Sequence, residues 1–206
     1  MPHEQNRHAQ RKAATHQSLI DAARALIVER GYNNVDILDI TDRANVSKAT
    51  FYTHFANKEA CVRELMEQGF DALADELLCV EQDIEPEWVY AKFQRIFLWA
   101  RENRELLLIM VGGAASSQLN VFGREYMVRV TEQTLMTRRF KFEPQSPYPP
   151  IILAQVVTGI MIQLLGWWLE NDTGYSAAAM AQMVQDILRY GLGKPDHPDD
   201  THTEQT

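Results

Sequence analysis

The sequence predicts an all-α fold, and three observations carry that prediction. Apolar residues recur every three or four positions from Leu19 to Leu188, the period of a helix face. No stretch alternates apolar and polar residues convincingly enough to read as a strand, and there is no internal repeat. Clusters of Gly and Pro separate the periodic runs, at Gly112-Gly113, through Phe140–Pro150 and at Asp172-Thr173-Gly174.

The elements follow in order. Met1 to Arg11 is polar and reads as a flexible arm, either a solvated tail or a segment that brings Arg7, Arg11 and Lys12 to a nucleic-acid backbone. Leu19-Ile20, Ala22-Ala23 and Leu26-Ile27 form an apolar stripe that closes at Gly31, a C-terminal cap before Tyr32. Ile37, Ile40 and Ala44 mark a short helix, with Asp36 as its N-cap and Asp39 at the third helical position. Asn45-Val46-Ser47 halts it: Asn tolerates a left-handed backbone, and Ser47 caps the next helix, Lys48 to Phe55. That helix is too short to be stable alone. Phe51 and Phe55 face inward, leaving Lys48, Ala49, Thr50, Tyr52, Thr53 and His54 toward solvent or a partner. Asn57 caps a helix of about six turns through Cys61, Leu65, Met66, Phe70, Leu73, Leu77 and Leu78.

Ile84-Glu85-Pro86 ends that helix and starts another, with Trp88, Val89, Phe93, Ile96, Phe97 and Ala100 on its inner face. Asn103 to Met110 is a short apolar helix closed by Gly112-Gly113. Ser117 to Arg139 carries Leu119, Phe122, Tyr126, Val130 and Leu135, and Phe140–Pro150, with four prolines, is a loop. Two helices close the chain, 150–171 and 176–190, with Gly191 and Gly193 ending the second and an acidic, polar tail expected to be disordered after it.

Composition bounds the function. The chain has 206 residues, 46% apolar and 23% charged, as expected of a globular protein with a real core. Its first residues lack the apolar segment of a signal peptide, and Ile151–Leu169 is broken by Gln155, Thr158 and Gln163, so no membrane partner and a cytoplasmic location are expected. Cys61 and Cys79 are the only cysteines, eighteen residues apart, and read as small buried hydrophobes of a reducing compartment. No glycine-rich phosphate loop, HExxH, CxxC or nucleophile motif is present, and Ser116-Ser117 lacks a neighbouring base. An enzyme, a metal site and a cofactor are therefore not expected.

The net charge of −8 divides unevenly. Residues 1–60 hold eight Lys/Arg against seven Asp/Glu, and residues 61–206 hold twelve against twenty-one. The acidic bulk thus lies away from the two short helices, and Arg43 to Lys58 has three basic residues and no acidic one. A short helix offering Lys48, Thr50 and Tyr52 beside a brace helix suits a DNA major groove. Lys48 and Thr50 can reach base edges, while Tyr52, His54 and Lys58 carry tips suited to phosphate.

At this point the chain resembles the TetR (tetracycline repressor) family of bacterial transcription regulators. The resemblance rests on Ile20, Ala22-Ala23, Leu26, Gly31-Tyr32, Ile40, Ala44, Val46-Ser47, Thr50-Phe51-Tyr52, His54-Phe55 and Asn57-Lys58-Glu59. It covers roughly residues 16–66; Asp36, Thr41, Asn45 and Ala49 depart from the commoner family residues without removing a group the fold needs. It implies groove contacts around Lys48, Ala49, Thr50 and Tyr52, and phosphate contacts from Thr53, His54 and Lys58. It also implies a helix-turn-helix domain at 13–60 and a helical ligand-binding and dimerisation domain at 61–193, between the polar arm at 1–12 and the acidic tail at 194–206.

The last two helices are apolar on more than one face, which suits an interface or a deep core, and an interface is the more natural account in a chain of this size. The family dimerises through two such helices, which implies a homodimer built on Ile152, Val156, Ile160, Leu164, Met180, Met183, Val184 and Ile187. Trp88, Phe93, Phe97, Trp99, Met110, Phe122, Tyr126, Met127, Trp167 and Trp168 are either core packing or the lining of a pocket for an apolar or amphiphilic effector. The expected protein is a ligand-responsive repressor of a palindromic DNA operator. The alternative is a helical carrier or interaction protein without specific DNA binding, which retention of Lys48, Tyr52 and Lys58 argues against.

Overall fold

A computed structural model describes residues 2–79, 87–111, 117–136 and 147–192, with side chains described from Asn6 and omitted at 78–79 and 87–89. Among these residues the elements are helices α1 (Pro2–Arg30), α2 (Ile37–Arg43), α3 (Lys48–His54), α4 (Lys58–Cys79), α5 (Glu87–Glu102), α6 (Arg104–Val111), α7 (Ser117–Met136), α8 (Pro150–Glu170) and α9 (Ala177–Tyr190), with a 3₁₀ turn at Tyr32–Asn34. The predicted all-α architecture is what forms.

The expected arm at 1–12 is instead the first part of α1, which begins at Pro2. Proline is pre-set for a first helical turn, and no Gly or Pro follows until Gly31, so nothing interrupts propagation. The acidic tail at 194–206, Gly112-Gly113, Ile84-Glu85-Pro86 and most of the proline-rich loop lie outside the described residues.

The first core is closed. Leu19, Ile20 and Ala23 of α1, Ile40 of α2, Phe51 of α3, and Cys61, Val62 and Met66 of α4 have no solvent exposure. Asp36 and Asp39 form a reciprocal cap, each carboxylate accepting from the other's backbone N–H at 2.9 Å. Arg43 donates twice to Glu29, at 2.8 and 3.0 Å, tying α2 to α1. Burial pushes the Cys61 thiol up to about 12, so it is a core group and not a nucleophile.

Helix α4 leaves this core and enters the second one. Its Phe70 ring lies 5.9 Å from Trp99 and 5.4 Å from Tyr126, and Arg95 of α5 pairs with its Glu76. There α5 packs on α9, and α7 on α8. At Gly123 a Cβ would meet Met110 Cγ at 2.6 Å, so the missing side chain lets α7 approach α6.

Among the described helices, α8 alone is long and apolar enough to cross a bilayer by length and composition. Here Ala154, Thr158, Met161, Leu165 and Trp168 are buried in the protein, while Ile151, Ile152, Val156 and Trp167 stay exposed.

Candidate nucleic-acid interface and internal cavity

The recognition-type helix is built from its turn outward. Asn45 takes φ 54°, the left-handed conformation its sequence position demanded. Val46 N–H donates to Thr41 O at 3.0 Å, and Ser47 Oγ accepts from Thr50 N–H at 3.1 Å. Phe51 and Phe55 anchor α3 from below, their ring centroids 5.6 Å apart. With that face fixed, Lys48, Ala49, Tyr52 and Thr53 project to solvent on one side, Tyr52 at 52% exposure.

Three of the expected contacts are more constrained. Thr50 is half-buried, its hydroxyl 2.8 Å from Ser47 Oγ. His54 is half-buried with Nδ1 3.3 Å from His16 Nδ1, and His16 Nε2 lies 2.7 Å from Glu64 Oε1. Burial, then His16 and Lys12, holds the His54 imidazole below the usual histidine range. Lys58 departs furthest from expectation. Its ammonium turns inward, donating to Tyr32 O at 3.0 Å and Val35 O at 2.8 Å, over the Tyr32 ring at 4.0 Å. Burial lowers its pKa. Two of its three N–H donors thus hold the end of the 3₁₀ turn instead of standing ready for a phosphate.

In the second core the helices enclose a cavity of about 690 Å³. Of the expected liners, Phe93, Trp99, Met110, Tyr126 and Met127 do line it. Trp88 has no described side chain. Phe97, Phe122, Trp167 and Trp168 do not line it. Phe97 packs edge-on against Trp168, whose Nε1–H donates to Tyr175 O at 2.9 Å; Phe122 lies under the Arg63 guanidinium; Trp167 is 43% exposed. Sequence reasoning missed Phe70, Asp71, Lys92, Arg129, Thr131 and Thr158. Lys92 and Thr158 sit among the inner residues of α5 and α8, and a polar residue within an apolar helix face was the available signal. Tyr126 Oη donates to Asp71, and burial, then this bond, raises the phenol.

The expected interface set also splits. Ile152, Val156 and Met183 are exposed at 51%, 52% and 40%, and Ile160, Leu164 and Ile187 are half-buried. Met180 and Val184 are a correction: at 2% and 0% exposure they belong to the core. Met183, about 60° from Met180 and about 100° from Val184 around the helix, lies at the edge of the same stripe, where α9 turns from the core to solvent.

Comparison with known proteins follows this division. Residues 19–65 match the family model described as "Bacterial regulatory proteins, tetR family", and residues 87–190 match "Transcriptional regulator C-terminal region". The Transposon Tn10 TetC protein of Escherichia coli is 36% identical over 75 residues, 36% of this chain but only 38% of that protein's length. The Fatty acid metabolism regulator protein of Bacillus subtilis is 24% identical over 193 residues, covering 88% of this chain and 97% of its own. The crystal structure of Thermus thermophilus FadR, a transcriptional repressor in complex with lauroyl-CoA, superposes with a TM-score of 0.69 at 18% identity, over 89% of this chain and 97% of the other.

Proposed function

This chain belongs to the tetR family of bacterial regulatory proteins, and on that premise we propose that it is a homodimeric repressor released from its operator by an apolar or amphiphilic effector. The observation that carries the DNA-binding part is α3: capped by Ser47, anchored by Phe51 and Phe55, it offers Lys48, Ala49, Tyr52 and Thr53 together on one exposed face. Lys48 and Ala49 sit at its first turn to meet base edges, while Thr50, Tyr52, Thr53 and His54 meet groove or phosphate. Lys58 supports this surface from below.

The effector binds the cavity between α4, α5, α7 and α8. Its lining is mainly Phe, Leu, Ile, Met and Val, with polar groups at Asp71, Lys92, Tyr126, Arg129 and Thr158 to orient a head group. The likeness to a fatty-acid regulator, and to a fold that holds lauroyl-CoA, makes an acyl thioester the first chemical class to try. Dimerisation uses the exposed apolar rows of α8 and α9, around Ile152, Val156 and Met183. A reader of DNA works where the genome is, in the cytoplasm.

In this mechanism effector and DNA compete through conformation. Helix α4 shares its buried residues with both cores, so an occupied cavity that shifts α4 changes the spacing of the two recognition helices. The coupling is reciprocal: operator DNA weakens effector binding by the same factor.

The test is fluorescence anisotropy with labelled duplexes from the DNA upstream of the chain's own reading frame, at two salt concentrations. Wild type should prefer one duplex over scrambled DNA, and Lys48→Ala with Tyr52→Ala should abolish the preference. Equal affinity for all duplexes would end the regulator reading. A single-chain mass by light scattering would end the dimer.

A further inference from the structure

We propose that His16 and Glu64, neither on the recognition helix, control whether His54 can donate to a DNA phosphate, so that DNA binding takes up a proton at this site. The proposal rests on the DNA-binding reading above and deepens it.

The argument is one of hydrogen-bond accounting. Glu64 Oε1, a carboxylate acceptor, lies 2.7 Å from His16 Nε2, so that nitrogen carries a proton. In neutral His16 the other nitrogen, Nδ1, is then a lone-pair acceptor. His54 Nδ1 lies 3.3 Å from it and must therefore be the donor. A neutral His54 that uses its proton at Nδ1 has a bare Nε2. This nitrogen has no partner among the described residues, and a bare nitrogen repels a phosphate oxygen.

One added proton reverses this, wherever it lands. Placed on His54 Nε2, it makes that nitrogen a donor directly. Placed on His16 Nδ1, it turns the inter-ring hydrogen bond around, and His54 moves its own proton to Nε2. In either state the open nitrogen now donates, and the pair carries a positive charge.

The groups facing His54 are Lys12 and His16 of α1, with Glu64 of α4 reaching it only through His16, and Lys48 is the one charged residue beside it on α3. The His16 ring stacks on Phe55 at 4.6 Å and 28°, which fixes the geometry of the relay. Burial, His16 and Lys12 together favour neutral His54 in the free protein. A phosphate placed at Nε2 favours the charged pair, so binding and protonation reinforce each other. Because Glu64 belongs to α4, a shift of that helix would also alter this relay.

The experiment uses the full chain and the duplex from the anisotropy assay, at fixed salt. Wild-type affinity should rise roughly tenfold from about pH 8 to about pH 6. His54→Gln puts a permanent, non-titrating donor near Nε2 and should bring that ratio close to one. His16→Phe keeps the ring on Phe55 but frees the His54 tautomer, and should narrow the ratio by raising affinity at the higher pH. A His16 that merely packs would lower affinity equally at both. Nitrogen-15 NMR of the free wild type at the higher pH should show a bare His54 Nε2, independent of any variant's folding. A protonated Nε2 there, or an undiminished pH ratio in His54→Gln, overturns the proposal. Absence of binding at either pH overturns the DNA-binding reading beneath it.

Discussion

Both cores of this protein are built from helices that bury apolar side chains, yet one is solid and the other hollow. Around Leu19, Ile20, Ile40, Phe51 and Val62 exposure falls to zero with every short helix capped. Around Phe93, Trp99, Met110 and Met161 the helices stand about a 690 Å³ cavity. The solid core holds a seven-residue helix that could not stand by itself, and so gives a fixed outline to its outer face. The hollow core gives up close contact and with it some stability, and gains states that a ligand can select.

Truncation should separate the two most sharply. Phe51→Ala opens a void in the solid core and should cost about 3–5 kcal/mol in chemical denaturation, with loss of DNA binding. Met161→Ala, on the cavity wall, should cost about 2 kcal/mol or less, because one side of Met161 already lacks neighbours. Equal losses would break the comparison.

Lys58→Met tests whether the solid core includes that ammonium. Losing two charge-assisted bonds to the Tyr32 and Val35 carbonyls should cost about 1.5–3 kcal/mol of stability. If stability holds and only the salt dependence of DNA binding falls, Lys58 is a phosphate contact after all.

Gly123→Ala should cost about 1–3 kcal/mol through overpacking against Met110, and it should reduce effector response more than DNA affinity. Ser47→Ala should remove about 1 kcal/mol by uncapping α3. Its effect on DNA affinity should exceed its effect on thermal midpoint, since the helix it frees is the one proposed to read DNA.

The smallest effect is a titration. His54 has a folded pKa below its unfolded value of about 6.5, so its neutral form favours the folded state. Stability from this group is present above the unfolded value and is lost as pH falls through the lower folded value. The wild-type thermal midpoint should therefore drop slightly on mild acidification, and less in His54→Gln. Acid thus loosens the domain while strengthening its grip on DNA, which makes the two effects separable.

Much of the first core was legible in the chain because its signals are local. Asp36, Asn45, Ser47 and Asn57 each act within three residues, and the predicted caps and turn form where those residues stand. The site was legible to the same degree: periodicity places Phe51 and Phe55 inward, which alone exposes Lys48, Ala49, Tyr52 and Thr53.

Other assignments depended on neighbours distant in sequence. Lys58 looks like a free cation until Tyr32 and Val35 come within reach, and His54 looks like a simple donor until His16, itself held by Glu64, comes within 3.3 Å of its Nδ1. Met180 and Val184 share the apolar stripe of α9 with true surface residues, and only packing against α5 decides which face turns inward. By itself, then, the sequence determined the helices, their caps and the face that α3 exposes, because periodicity and capping are properties of neighbouring residues. The tertiary structure alone decided which aromatic residues pack and which enclose space, because a cavity is set by the distance between helices, and no single helix encodes that distance.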